Sequence, residues 1–230
     1  MHHVQSPNHG PRKGGVTAPD LIVLHYTAMV GGCWPAIKRL CDPKAEVSCH
    51  YIIDEDGSLV QLVADDRRAW HAGVGQWGES TDVNSRSLGI ELSNDGASPF
   101  PEAQMTTLES LLRALMARHG IDAKGVIGHS DCAPGRKIDP GGRFDWARLA
   151  LQGLAIQPDR TAQDDAPLSD QGFAAHLATY GMTADVEHQT RLDSFRLRFN
   201  PGGAGPLTQA EANMAADLAA RFPARPLVTA

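Results

Sequence analysis

Four apolar residues, Leu21-Ile22-Val23-Leu24, follow the turn-like pair Pro19-Asp20 and stop at His25. So short an apolar run between a turn and a polar residue predicts a buried strand. The pattern recurs along the chain. Leu88-Gly89-Ile90-Glu91-Leu92 predicts another strand, and Val126-Ile127 a short one ending at Gly128-His129. Residues 50–54 and 58–63 predict a β-hairpin around Glu55-Asp56-Gly57, whose Asp-Gly pair supplies the positive φ of a tight turn. Helices fall between these strands. Met105, Leu108, Leu112, Leu115 and Met116 follow three- and four-residue steps, so 102–119 predicts a helix with Gly120 as its C-cap. Shorter helices are expected over 36–40 and 144–151. Strands alternating with helices indicate an α/β layer architecture.

The two ends of the chain read differently. Residues 1–19 are polar and rich in Gly and Pro, which predicts an irregular arm. Residues 158–167 have linker composition, with Pro158 and Pro167 at their limits. Beyond them Phe173 and Leu177, then Leu192, Phe195 and Phe199, then Met214 and Leu218 recur at helical spacing. The expected division is therefore a catalytic domain over 1–157, a linker over 158–167 and a small three-helix module over 168–230.

With 230 residues, 42% of them hydrophobic, the chain can bury a substantial core. Its net charge of −6 and lack of a Lys/Arg run argue against nucleic acid as a partner, because phosphate binding relies on clustered cations. No apolar stretch approaches the roughly 18–20 residues needed to span a bilayer. The first ten residues lack the apolar segment of a secretory signal, which predicts a cytoplasmic protein. A periplasmic or wall-associated location is the alternative. The four cysteines form no repeated Cys-x-x-Cys framework and read as small buried hydrophobes in a reducing compartment.

Three polar residues stand where apolar strands or tight loops end: His25, His129 and Asp139. Imidazole nitrogen and carboxylate oxygen both suit a cation such as zinc, and three protein ligands leave a fourth position open. Each residue alone has a structural reading as a hydrogen-bonded group, and their irregular spacing is no motif by itself. Glu91 interrupts an apolar run, and burying a carboxylate costs several kcal/mol unless it is paired or coordinated. Strand alternation also allows it to face outward. Lys137 could present a cation to a developing oxyanion, or lie solvated on the surface.

Leu24-His25-Tyr26-Thr27, Trp70-His71-Ala72-Gly73, Gly89-Ile90-Glu91-Leu92, Gly128-His129-Ser130-Asp131 and residues 134–141 (Pro-Gly-Arg-Lys-Ile-Asp-Pro-Gly) occur in one order. That order resembles the zinc N-acetylmuramoyl-L-alanine amidases of the AmpD/AmiD type, relatives of the peptidoglycan recognition proteins. The resemblance covers about residues 5–157 and implies a mixed central sheet flanked by helices, with a metal in a groove on one face. It implies one Zn2+ per chain on His25, His129 and Asp139, with Glu91 as catalytic carboxylate and Lys137 as its cationic helper. Trp70, Trp77 and His71 are implied as groove residues, each with a packing role as the alternative. Cys132 lies near His129, but the resemblance puts the third ligand at Asp139.

The implied reaction is hydrolysis of the amide between the lactyl group of N-acetylmuramic acid and L-alanine. The implied partners are peptidoglycan fragments, 1,6-anhydro-muropeptides foremost, or the intact sacculus. A binding-only recognition protein is the rival reading. Residues 168–230 resemble, more loosely, a helical peptidoglycan-binding module that lacks its usual Phe-Gln pair and Asp-Gly turn.

Overall fold

The computed structural model describes residues 2–163 and 166–225. Its centre is a six-stranded sheet built from β1 (His2–His3), β3 (Leu21–Tyr26), β4 (Tyr51–Ile53), β5 (Leu59–Gln61), β7 (Ser87–Leu92) and β8 (Val126–Gly128). The strand order is β1-β5-β4-β7-β3-β8. All neighbours run parallel except the β4–β5 hairpin, so the sheet is mixed, as expected. A separate two-stranded pair joins β2 (His9–Gly10) to β6 (Arg68–Ala69).

The N-terminal arm is more ordered than its composition predicts. Val4 N and Ser6 N donate to Gln61 O and Leu62 O, continuing β1 along the open edge of β5. Arg12 then reaches the carbonyls of Asp65, Ser85 and Ser87. Both interactions satisfy backbone groups of other segments. They need no apolar alternation, which is why no strand pattern marks them.

Alternation along β3 and β7 divides the sheet into two faces. Ile22, Leu24, Leu88, Ile90 and Leu92 turn one way, into a buried cluster with Met105, Leu108, Leu111, Leu112 and Leu115 of α3 (Glu102–His119). Gly120, at φ 66°, closes that helix as its sequence suggests. Leu21 and Val23 turn the other way. They share a buried cluster with Phe173 and Leu177 of α6 (Asp170–Tyr180), Phe195 and Phe199 of α7 (His188–Phe199), and Met214 and Leu218 of α8 (Gln209–Arg221). The three C-terminal helices therefore cover the second face over the first half of the strands. His25 and Glu91 follow Val23 and Gly89 on that same face, nearer the strands' C-terminal ends, and the register sets them side by side.

Four shorter helices complete this part of the chain. These are α1 (Trp34–Leu40), α2 (Val83–Arg86), α4 (His129–Cys132) and α5 (Trp146–Leu151). Neither α2 nor α4 was expected from periodicity, since four residues are too few to show one. All four cysteines are free, and Cys33, Cys49 and Cys132 are buried. No helix among the described residues is long and apolar enough to cross a membrane.

Candidate metal centre and active site

Three elements deliver donor atoms to one point. His25 comes from the end of β3, His129 from the first residue of α4, and Asp139 from the loop after it. His25 Nδ1 lies 3.0 Å from His129 Nδ1 and 2.9 Å from Asp139 Oδ2, and His129 Nδ1 lies 3.0 Å from the same oxygen. All three residues are buried.

Their outer hydrogen bonds fix which nitrogens carry protons. His129 Nε2 faces Ala72 O, an acceptor only, at 2.9 Å, nearer than the Arg136 Nη2 donor at 3.3 Å, so this nitrogen holds the hydrogen and Nδ1 is bare. A relay settles His25 in the same sense. Ser87 Oγ donates to Val83 O at 2.6 Å, so it accepts from His71 Nε2 at 3.1 Å. His71 Nδ1 is then bare and accepts from His25 Nε2 at 3.0 Å, which leaves His25 Nδ1 bare too. Two unprotonated nitrogens and a carboxylate oxygen thus point at one another. Such a set is repulsive by itself and suits a cation at its centre.

Titration agrees with that assignment. Burial, helped by the neighbouring His129, holds the His25 imidazole down to about 4. Burial pushes the Asp139 carboxyl up, but the closeness of its Oδ2 to His129 and His25 outweighs it and keeps the group well below the usual carboxylate range. Burial and the surrounding histidines likewise hold His71 well below its ordinary value.

Glu91 stands beside this cluster, opposite His25 in the β3–β7 register. Its Oε2 is shielded from solvent and has no hydrogen-bond partner among the described residues. Burial and the nearby Asp139 charge raise its carboxyl to about 8, against a lowering influence from Lys137. A partly buried acid with a shielded, unpartnered oxygen and a raised pKa is suited to exchanging protons near neutral pH.

These groups open into a cavity of about 530 Å3 lined by His25, Trp70, His71, Glu91, His129, Lys137 and Asp139, with Arg39 and Arg136 also on its walls. Trp77 is placed elsewhere. It is 3% exposed and packs edge-to-face on Tyr180 at 5.2 Å, inside the cluster shared with the C-terminal helices. The groove role implied for it is corrected to a core role. Trp77→Ala is expected to cost about 3–5 kcal/mol by chemical denaturation, with kcat/KM per folded molecule unchanged. Cys132 is also in that core, its Sγ turned to His129 O at 3.4 Å and not to the ligand set.

Comparison with known proteins fits this geometry. A family model described as N-acetylmuramoyl-L-alanine amidase matches residues 15–142. The chain belongs to that family. It is 38% identical over 164 residues to 1,6-anhydro-N-acetylmuramyl-L-alanine amidase AmpD of Escherichia coli (strain K12), spanning 64% of this chain and 89% of that one. N-acetylmuramoyl-L-alanine amidase AmiD of the same organism is 32% identical over 223 residues, spanning 83% and 79%. AmiD solved with the substrate anhydro-N-acetylmuramic acid-L-Ala-D-gamma-Glu-L-Lys superposes with a TM-score of 0.77 at 29% identity, covering 93% and 94% of the two chains. AmpDh3 of Pseudomonas aeruginosa, solved with anhydromuramic pentapeptide, gives 0.79 at 28% identity over 96% of each chain. Membership of the amidase family fits a groove with His25 of β3 and Glu91 of β7 side by side on its wall.

The outer bonds of this amidase's two histidines escaped the sequence reading. Ser87 and the Ala72 carbonyl fix two tautomers, yet neither has an identity that marks it in the sequence.

Proposed function

We propose that this amidase hydrolyses the amide between the lactyl group of N-acetylmuramic acid and L-alanine, with soluble 1,6-anhydro-muropeptides as substrates and one Zn2+ per chain on His25, His129 and Asp139. The carrying observation is the convergence of two bare imidazole nitrogens and a carboxylate oxygen beside Glu91, whose own Oε2 is unpartnered. The donor set of two nitrogens and one oxygen suits zinc and leaves room for one more ligand. When bound, zinc supplies Lewis acidity that polarises a carbonyl and makes water a better nucleophile near neutral pH.

The chain's own groups supply the rest. Glu91 takes the proton from the attacking water as its oxygen adds to the lactyl carbonyl. The same carboxyl then delivers that proton to the leaving nitrogen of L-alanine, so Glu91 ends the cycle as it began. Lys137 lines the groove and offers a positive charge to the oxygen that becomes negative. His71 holds His25 in the tautomer that presents Nδ1, a positioning role. Trp70 gives the groove an aromatic wall against sugar or peptide.

The groove's charge supports an acidic ligand. In a chain of net charge −6, its walls carry Arg39, Arg136 and Lys137. A stem peptide brings carboxylates to such walls, which pair well with arginine. Lys137→Met is expected to lower kcat by about 10²-fold with KM little changed. Unchanged kcat with raised KM would reassign Lys137 to this binding set.

The substrate proposal is tested by assaying the pure protein on anhydro-muropeptide and on intact sacculi, with metal analysis of the same sample. Release of free stem peptide from the soluble fragment, at one zinc per chain, is the expected result. Binding of the fragment without cleavage would favour a recognition protein, and faster release from sacculi would overturn the soluble-substrate reading.

A further inference from the structure

Helix α7 lies along the segment that carries His129 and Asp139. Thr190 sits against Gly135, where an added Cβ would meet Thr190 Cγ2 at 2.7 Å. Four residues on, Ser194 Oγ donates to Ser130 O at 2.5 Å. Four more residues on, Arg198 donates to the Asp131 carboxylate and, through its other terminal nitrogen, to Val126 O at 3.0 Å. Steps of four keep these side chains on one helix face. That face reads the backbone on both sides of His129.

The Arg198–Asp131 pair is the unusual member. Its side chains are 1% and 0% exposed, and Asp131 Oδ2 also accepts from Gly128 N at 2.8 Å. The guanidinium lies 4.1 Å from the Trp146 ring centroid and 4.9 Å from that of Phe199. Removing two charges from water costs several kcal/mol per ion, and well-packed apolar residues often hold a core as well or better. Packing alone therefore gives no reason for an ion pair at this point. Geometry does, because a two-point fork on Asp131 and Val126 O fixes the chain just before and just after His129.

We infer that α7 is a positioning element for the metal site: Arg198, through Asp131 and assisted by Ser194, sets the His129 imidazole for metal binding. The C-terminal helices then act on catalysis from behind the groove, in addition to covering the sheet. This rests on the metal reading above.

The test compares Arg198→Lys, Arg198→Met and Ser194→Ala with Arg196→Met in the full chain. Arg196 is a second buried arginine of α7, paired with Glu211 of α8 at 2.6 Å and away from the metal segment. Zn2+ affinity is measured by chelator competition, together with the visible spectrum of the Co2+-substituted protein, Tm, kcat and KM. The Arg198 variants are expected to bind Zn2+ about tenfold more weakly or worse, to shift the Co2+ bands, and to lose more in kcat than in KM. Arg196→Met is expected to lower Tm with Zn2+ affinity and Co2+ spectrum unchanged. Should Arg198→Met fail to fold, Arg198→Lys and Ser194→Ala carry the same readouts in the same direction. Wild-type Zn2+ affinity in the folded Arg198 and Ser194 variants overturns the inference alone, as does an equal weakening in Arg196→Met. A wild-type chain that binds no Zn2+ overturns the metal reading and this inference with it.

Discussion

Glu91→Gln is expected to keep its zinc while turnover on anhydro-muropeptide falls by at least about 10³-fold. The amide has nearly the same shape as the carboxyl group it replaces and lies outside the ligand set, so metal content and KM should stay close to wild type. What the variant loses is the ability to accept a proton from water and return it to the leaving nitrogen. Near-normal turnover would remove Glu91 from the mechanism and leave its unpartnered Oε2 unexplained.

The same substitution carries a stability signature of opposite sign. In the metal-free protein, burial raises the Glu91 carboxyl to about 8, while an unfolded chain releases that proton near the usual glutamate value of about 4.3. The sign follows from linkage. Between those two values the folded state binds the proton and the unfolded state does not, so stability declines as pH rises through this window. An uncharged amide at this position removes that penalty. Metal-free Glu91→Gln should therefore exceed metal-free wild type by on the order of 3 kcal/mol at pH 7, with little difference near pH 4. Urea denaturation of chelator-treated samples at the two pH values checks it. A variant no more stable than wild type at pH 7 would show that water reaches the carboxylate and keeps it ionised. Gain in stability with loss of turnover is the expected mark of a residue kept for chemistry.

Parts of this architecture were legible because local rules governed them. The helix at 102–119 announces itself by its apolar steps and by Gly120, and the hairpin by its Asp-Gly turn. The metal donors were harder, since they come from a strand end, a one-turn helix and a loop, separated by 104 and 10 residues. No spacing rule joins such elements; only the ordered family segments did. Glu91 stood out because it breaks an apolar run, and the β3–β7 register then puts it beside His25. Trp77 was illegible for a physical reason. An indole beside a groove and one in a core look identical in sequence, and its partner Tyr180 lies in α6, on the far side of the proposed linker. Arg198 is a sharper case. Nothing in the residues around it marks an ion pair, and only the fold reveals Asp131, 67 residues away, as its buried partner.

Stripping the metal with a chelator should abolish turnover and lower Tm, with both restored by stoichiometric Zn2+. Without a cation, His25 Nδ1, His129 Nδ1 and Asp139 Oδ2 hold lone pairs 2.9–3.0 Å apart with no shared proton to spare. A ligand that binds only the folded state stabilises it in proportion to the logarithm of its excess over Kd, about 2.7 kcal/mol at a hundredfold excess. His129→Ala and Asp139→Ala each remove one donor, and both should lose metal and at least about 10³-fold in activity. Acid should act in the same direction. His25 titrates at about 4 in the metal-free fold, below an ordinary histidine at about 6.5. As pH falls through that interval the unfolded chain gains a proton that the folded chain refuses, so stability drops. Asp139, held below its usual range, adds a second loss once pH falls further. Protons also compete with the metal for the same nitrogens. Zinc release followed with a chromogenic chelator should therefore rise as pH falls from about 6.5 towards 4, in step with lost activity. Full activity in a sample shown by metal analysis to be metal-free would overturn the assignment of the three ligands, whatever the variants did.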